Sequence, residues 1–132
     1  MGFLTGKTAI ITGGGRAVLS NGECGSIGYG IATAYAKEGA NLVVTGRNVQ
    51  KLTDAKEELE KKYGIKVLPV QADVSASADN EAIVQNVVKQ AIDTFGRIDV
   101  LINNAQASAS GVTIADHTTE QFDLAVYSGL YA

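Results

Sequence analysis

Short apolar runs alternate along the chain with longer segments whose apolar residues recur at the spacing of a helix. The short runs lie at 7–12, 41–45, 66–72 and 98–102. They are rich in branched apolar residues, which is typical of strands that are covered on both faces of a parallel sheet. The longer segments, predicted as helices, lie at 26–38, 48–63 and 79–95, and a fourth begins near 118. This alternation predicts βαβ units and a doubly wound α/β fold.

Single residues refine these elements. In the first helix, the predicted apolar stripe contains Ile27, Ile31, Ala34 and Tyr35. Gly28 and Ala32 keep another side of this helix thin, which allows a close approach to a sheet. Pro69 cannot donate to a ladder, so the third strand is predicted at a sheet edge. Thr118 and Gln121 have the spacing of a capping box at the start of the fourth helix.

Composition narrows the class of protein. The chain has 132 residues, of which 45% are hydrophobic and 19% charged, and this suits one globular domain spanning 1–132. No apolar run approaches the roughly 18 residues that a membrane helix needs. The net charge of −3 predicts no nucleic-acid partner. The single cysteine, Cys24, excludes an internal disulfide and favours a reducing compartment, so a cytoplasmic location is predicted.

Glycines cluster at the start of the chain. Nine of the fifteen glycines lie in the first thirty residues. The cluster follows the first predicted strand and opens the first helix, and backbone N–H groups in that setting attract phosphate. The sequence therefore indicates a phosphate-binding loop, with a merely flexible loop as the alternative.

Four motifs resemble those of the short-chain dehydrogenase/reductase family, in the family's order. They are Thr12-Gly13, Ser26-Ile27-Gly28, Asp73-Val74 and Asn103-Asn104-Ala105. The resemblance runs from about residue 3 to the end. It implies a Rossmann-like parallel sheet of about four strands in the order 3-2-1-4, truncated relative to the family. It also implies an oxidoreductase that transfers hydride between NAD(P) and an alcohol, carbonyl or enoyl compound.

The resemblance places the family's cofactor contacts on particular residues. They fall on Gly13, Ser26, Ile27, Gly28, Asp73, Val74, Asn104 and Ala105. Asp73 and Val74 would contact the adenine, although Asp73 could equally be a turn residue. Asn104 and Ala105 would approach the nicotinamide ribose, and Asn103 would support the sheet. Gln106 stands where the family has a glycine.

The cofactor is predicted to be NADP(H) rather than NAD(H). A site for NAD usually has a carboxylate at the end of the second strand, where this chain has Gly46 followed by Arg47. A guanidinium binds a 2′-phosphate by charge-assisted hydrogen bonds. Arg16 in the glycine-rich loop would add a second cation. The alternative for Arg47 is an exposed residue at a helix start.

The glycine-rich loop departs from the family pattern in length. The family has three residues between its first glycine and the next two, whereas residues 14–25 fill that gap here. The run from Ser26 to Ala32 also resembles the divergent enoyl-acyl-carrier-protein reductase branch. The insertion could fold over the cofactor, contact another subunit or be an inert surface excursion.

None of the four catalytic positions of the family is filled in this chain. The family uses a tyrosine with a lysine four residues later, a serine that orients the substrate and an asparagine that holds a water relay. No tyrosine here has that lysine, and the asparagine's place falls on Gly129. His117 is the single histidine, so no metal site is predicted. Cys24 has no histidine nearby in sequence and is expected to be a free thiol rather than a nucleophile.

Three interpretations of the chain remain open. It could be the NADP-binding half of a longer oxidoreductase, which by itself would be inactive. It could be a non-catalytic nucleotide-binding module, or an assembly fragment with a vestigial cofactor site. The fourth strand is expected to form an apolar sheet edge, so a homo-oligomer through that strand or the last helix is predicted.

Overall fold

The chain forms one parallel sheet with helices on both faces. The computed structural model describes residues 2–75, 77 and 79–132. The strands are β1 (Thr8–Thr12), β2 (Asn41–Gly46), β3 (Val67–Gln71) and β4 (Val100–Ile102). They lie in the order β3-β2-β1-β4, with every pairing parallel. The predicted Rossmann-like α/β fold and strand order are confirmed.

The helices begin and end at residues that suit those positions. They are α1 (Ile27–Lys37), α2 (Val49–Tyr63), α3 (Asn80–Phe95) and α4 (Thr119–Ala125). A 3₁₀ turn at Ile114–Asp116 precedes α4, and a π-turn at Val126–Leu130 follows it. The predicted capping box of Thr118 and Gln121 is present at the start of α4. Gly64 and Gly96 end α2 and α3 in the left-handed region, with φ of 69° and 74°.

Two apolar layers cover the sheet. On one face, Ile11, Leu42 and Val44 pack with residues of α1 and α2. On the other face, Ile10 and Val43 pack with Val87 and Ala91 of α3. Because successive strand residues point to opposite faces, the central strands β1 and β2 supply both layers. Pro69 lies in β3 at the edge of the sheet, as predicted.

The buried side of α1 differs from the predicted stripe. Ile27 is 77% exposed and Ala34 is exposed, whereas Gly28, Tyr29, Ala32 and Ala36 are buried. The helix lies so close to the sheet that small residues face it, and the larger Ile31 and Tyr35 pack at its flanks. The predicted stripe was therefore wrong at two of its four positions, and the thin side formed by Gly28 and Ala32 is confirmed.

The fourth strand is shorter than the predicted run at 98–102. The Thr8 N–H donates to a side-chain oxygen of Asp99 at 2.9 Å instead of to a strand carbonyl. The ladder between β1 and β4 consequently starts at the pair Ala9 and Val100. Among the helices of the described residues, none is long and apolar enough to cross a membrane.

Candidate functional site

A cleft of about 740 Å³ lies at the carboxyl ends of the strands. In open α/β sheets ligands bind at this edge, where the strand order reverses. Six of the predicted cofactor residues line it: Gly13, Ser26, Arg47, Asp73, Val74 and Ala105. The remaining four, Arg16, Ile27, Gly28 and Asn104, lie outside its lining.

Gly13 and Gly28 bring the loop after β1 against the first turn of α1. Gly13 has a φ of +68°, which favours glycine. A Cβ on Gly28 would lie 2.1 Å from the carbonyl oxygen of Gly13, so α1 can start here only without a side chain. Ser26 caps the helix by accepting from the Tyr29 N–H at 3.4 Å. The remaining N–H groups of the first turn have no acceptor within the helix and suit an anion.

Asn104 supports this arrangement from β4. Its side-chain Nδ2 donates to the carbonyl oxygen of Thr12 at 2.9 Å. The backbone N–H groups of Asn104 and Ala105 both donate to Thr12 Oγ1 at 2.9 Å. The Asn103 side chain makes none of the hydrogen bonds found among the described residues. The sheet support expected of Asn103 is thus provided by Asn104.

The end of the cleft beside β2 carries two basic residues. Arg47 follows β2, and Lys51 lies one turn into α2; both line the cleft and both are exposed. Asp73 lies at the same end, and the Ser75 N–H donates to its carboxylate at 3.0 Å. That hydrogen bond is the main cause that lowers the pKa of Asp73, with a smaller contribution from Arg47. This end therefore combines positive charge with one ionised carboxylate.

Arg16 lies in a different environment. Its guanidinium pairs with the Glu58 carboxylate of α2, and the Arg16 backbone N–H donates to the Lys51 carbonyl oxygen at 2.7 Å. Lys62, Arg16 and Tyr29 together lower the pKa of Glu58 to about 2. Burial, followed by the bond to Glu58, raises the pKa of Tyr29 to about 12. Arg16 thus anchors the start of the insertion to α2.

The insertion at 14–25 has two parts. Gly15 and Ala17 line the cleft, and a Cβ on Gly15 would lie 3.1 Å from Lys51 Cβ. Beyond them, the chain turns back on itself through an antiparallel bridge between Val18 and Cys24, and this hairpin is exposed. The first residues of the insertion therefore form part of the site wall, while its tip does not.

A second cleft of about 410 Å³ adjoins the first between the segment after β4 and the π-turn. It is lined by Asn103, Asn104, Ala105, Gln106, Ala125, Val126, Gly129 and Leu130. Ser128 Oγ, which is buried, accepts from the Ala107 N–H at 2.8 Å and lies 2.6 Å from the Leu124 carbonyl. That serine ties the two walls of this cleft together.

Several residues that line the first cleft were not predicted as site residues from the sequence. The most informative are Gly15, Ala17, Lys51, Gln106, Ala107 and Ser128. Arg47 precedes α2 and Lys51 lies within it, so the tertiary placement of that helix, and not a local pattern, brings Lys51 to the cleft. Ser128 contacts Ala107 only because the tertiary structure brings them together, and no local sequence pattern predicts that contact.

The described part of the chain contains no group of three or more His, Cys, Asp or Glu side chains that could hold a metal ion. Cys24 is a free, exposed thiol whose Sγ lies 2.9 Å from the Ser26 carbonyl oxygen.

Residues 7–128 match the family model described as short chain dehydrogenase. The chain is 64% identical over 132 residues to a 12alpha-hydroxysteroid dehydrogenase of a Clostridium species, covering all of this chain and 48% of that protein. The L-sorbose reductase of Gluconobacter frateurii, solved with NADPH and L-sorbose, superposes with a TM-score of 0.72 at 34% identity. That match covers 94% of this chain and 41% of the reductase.

A xylitol dehydrogenase solved with NAD⁺ superposes with a TM-score of 0.78 at 25% identity, covering 96% of this chain and 43% of its own. The chain thus spans less than half the length of these relatives. Of these two solved structures, the reductase contains NADPH and the xylitol dehydrogenase contains NAD⁺.

Proposed function

Because the chain belongs to the short-chain dehydrogenase family, we propose that it forms the NADP(H)-binding portion of an oxidoreductase. The complete protein would transfer hydride between the cofactor and an alcohol or carbonyl compound. One observation carries the choice of NADP(H): Arg47 and Lys51 line the cleft at the end of β2, where Gly46 stands in place of a carboxylate.

The residues present fit a dinucleotide. A cleft of about 740 Å³ is within the usual range for cofactor sites. Ser26 Oγ accepts from the Tyr29 N–H, and the other free N–H groups of the first turn of α1 would suit the pyrophosphate. Thr45 also lines the cleft, and its buried hydroxyl has no hydrogen-bond partner among the described residues. When bound, the nicotinamide ring supplies the hydride acceptor or donor.

Each region of the cleft would hold one part of the cofactor. Arg47 and Lys51 would bind the 2′-phosphate, and Asp73 and Val74 would border the adenine. The start of α1 would hold the pyrophosphate. The nicotinamide half would then extend toward Ala105 at the end of β4. Arg16 is not needed in this assignment, because Glu58 already pairs with it.

The choice of cofactor can be tested by calorimetry on the 132-residue chain. We expect NADPH to bind at least tenfold more tightly than NADH. Arg47→Met and Lys51→Met should each weaken NADPH binding about tenfold, the size of one charge-assisted contact, and leave NADH unchanged. Lys61→Met, on the exposed side of α2 outside the cleft, is the control. Equal affinity for the two cofactors would contradict the NADP(H) assignment, and absence of binding would favour a vestigial site.

The similarity to the 12alpha-hydroxysteroid dehydrogenase supports a proposal about substrate. At 64% identity over the whole chain, the complete protein would oxidise a hydroxysteroid at its 12α-hydroxyl with NADP⁺. Turnover of a 12α-hydroxysteroid by the complete protein tests this, with the epimeric 12β-hydroxysteroid as the matched control. Equal turnover of both epimers would contradict it.

The chain is also proposed to associate with a second copy. Leu101 at the edge strand β4 is 55% exposed, and Phe122 and Leu130 of the last helical segment are 63% and 75% exposed. Apolar residues at an open sheet edge recruit another chain. These exposed residues support assembly through β4 or through the last helix.

A further inference from the structure

Gln106 and Gly129 face each other where the two clefts meet. A Cβ placed on Gly129 would lie 3.2 Å from Gln106 Cγ, 3.4 Å from Cδ and 3.5 Å from Nε2. The glutamine side chain therefore packs against the open side of Gly129, where a larger residue on the π-turn would project.

The Gln106 side chain borders both clefts. It lines the first cleft with Ala107 and Ser128, and the second with Gly129. Ala105 is the other residue common to both linings, and its methyl group cannot hydrogen-bond. In the part of the chain that the structure describes, no group hydrogen-bonds to the Gln106 carboxamide. Its donors and acceptor are thus available to a ligand.

The backbone next to Gln106 is held in place by Ser128. The Ala107 N–H donates to Ser128 Oγ at 2.8 Å, and the same Oγ lies 3.0 Å from the Ala107 carbonyl oxygen. The π-turn is closed by the Tyr131 N–H, which donates to the Val126 carbonyl at 3.0 Å. Because Ser128 belongs to that turn, the Gln106 side chain stays beside Gly129. Turns of this kind inside helices are frequent at functional sites.

The strand order indicates which half of a dinucleotide meets Gln106. Arg47 follows β2, the start of α1 follows β1, and Gln106 follows β4; β1 lies between the other two strands. With the 2′-phosphate at Arg47 and the pyrophosphate at α1, the opposite half of the molecule must extend past β4. That half carries the nicotinamide.

We propose that the Gln106 carboxamide binds the nicotinamide half of the cofactor from the space left open by Gly129. The inference rests on the proposed NADP(H) function. It assigns a binding role to a side chain on the loop after β4.

Two ligands separate the halves of the cofactor in a binding experiment on the 132-residue chain. NADPH contains the nicotinamide, whereas adenosine 2′,5′-bisphosphate has the adenine and 2′-phosphate without it. Gln106→Leu keeps the side-chain volume and should weaken NADPH binding about fivefold, the effect of one neutral hydrogen bond, while the bisphosphate affinity stays the same. Ser110→Leu, on the same loop outside both linings, should change neither.

A rescue variant tests the pairing with Gly129. Gln106→Gly should weaken NADPH binding as Gln106→Leu does, and adding Gly129→Asn should restore most of it, because a carboxamide then enters the same space from the π-turn. Equal weakening of both ligands, no weakening, or no rescue in a double variant that melts like the wild type would overturn the inference. A wild-type chain that binds neither ligand would overturn the proposed function itself, and the inference with it.

Discussion

Gly28 and Gly30 lie two residues apart in α1, and their surroundings differ sharply. A Cβ on Gly28 would lie 2.1 Å from the Gly13 carbonyl oxygen and 2.5 Å from Asn104 Nδ2. A Cβ on Gly30 would meet only Cys24 Sγ, at an ordinary 3.4 Å. The first glycine is therefore required by the close contact between α1 and the loop after β1, whereas the second has room for a side chain.

Substitution of these glycines by alanine should have opposite effects. Gly28→Ala is expected to lower the free energy of unfolding by about 1–3 kcal/mol, because α1 must move away from Gly13. The same movement should weaken NADPH binding. Gly30→Ala should raise the free energy of unfolding by about 0.5–1 kcal/mol through helix propensity. Urea denaturation measures both, and a Gly28→Ala variant as stable as the wild type would show that the contact with Gly13 does not matter.

Single residues also show which parts of the candidate site could be predicted from the sequence and which could not. The cation at the end of β2, Arg47, could be predicted because strand ends in this fold are recognisable from pattern. The environment of Arg16 could not, because its partner Glu58 lies 42 residues away on α2. Lys51 was missed for the related reason that the tertiary placement of α2 brings it to the cleft.

At the scale of elements, α2 holds the start of the insertion in place. The Glu58 carboxylate forms ion pairs with Lys62 of the same helix and with Arg16 of the insertion. Together with Tyr29, these groups lower the Glu58 pKa from its ordinary 4.5 to about 2. A carboxyl group with a lowered pKa in the folded state stabilises the fold above its ordinary pKa and loses that effect as the pH falls.

Glu58→Gln should therefore destabilise the chain at neutral pH and matter less in acid. We expect a loss of about 1 kcal/mol in the free energy of unfolding at pH 7, the upper end for partly exposed ion pairs. The difference from wild type should shrink between pH 4.5 and about 2. Thermal unfolding across that range measures it. Glu57→Gln, an exposed neighbour, is the control, and a difference that does not vary with pH would refute the role of the ionised carboxylate.

The elements themselves were predicted well where periodicity is strong. The positions of α2 and α3 followed from apolar residues at helical spacing and from the glycines that end them. The buried face of α1 did not follow, because close packing against the sheet selects small residues over large ones there. The π-turn after α4 was also not predictable, because its geometry depends on Ser128 and the distant Ala107.

At the scale of the molecule, several large apolar side chains are exposed. Val84, Val88 and Ile92 form a stripe on α3, each about two-fifths exposed. Leu101 on the edge strand and Phe122 on α4 are more exposed still. Exposed apolar residues on an edge strand and on helix faces are typical of an interaction site.

The association proposal predicts a mass that depends on concentration. The mass of the 132-residue chain measured by light scattering should rise toward that of a dimer as the concentration increases. Leu101→Lys should reduce this association, because a charge on an edge strand opposes pairing. Val49→Lys, a similarly exposed position on α2, should leave it unchanged. A monomeric mass at every concentration would rule out the proposed homo-oligomer.

The central claim is that NADPH binds in the cleft at the carboxyl ends of the strands. NMR resonance mapping during NADPH titration tests it most directly. The account predicts that the amide resonances of Gly13, Ser26, Arg47 and Ala105 shift together with a single affinity, since these residues line one cleft. The exposed 3₁₀ turn at Ile114–Asp116 should stay unchanged. Shifts confined to that turn and α4, or no shifts at saturating NADPH, would contradict it.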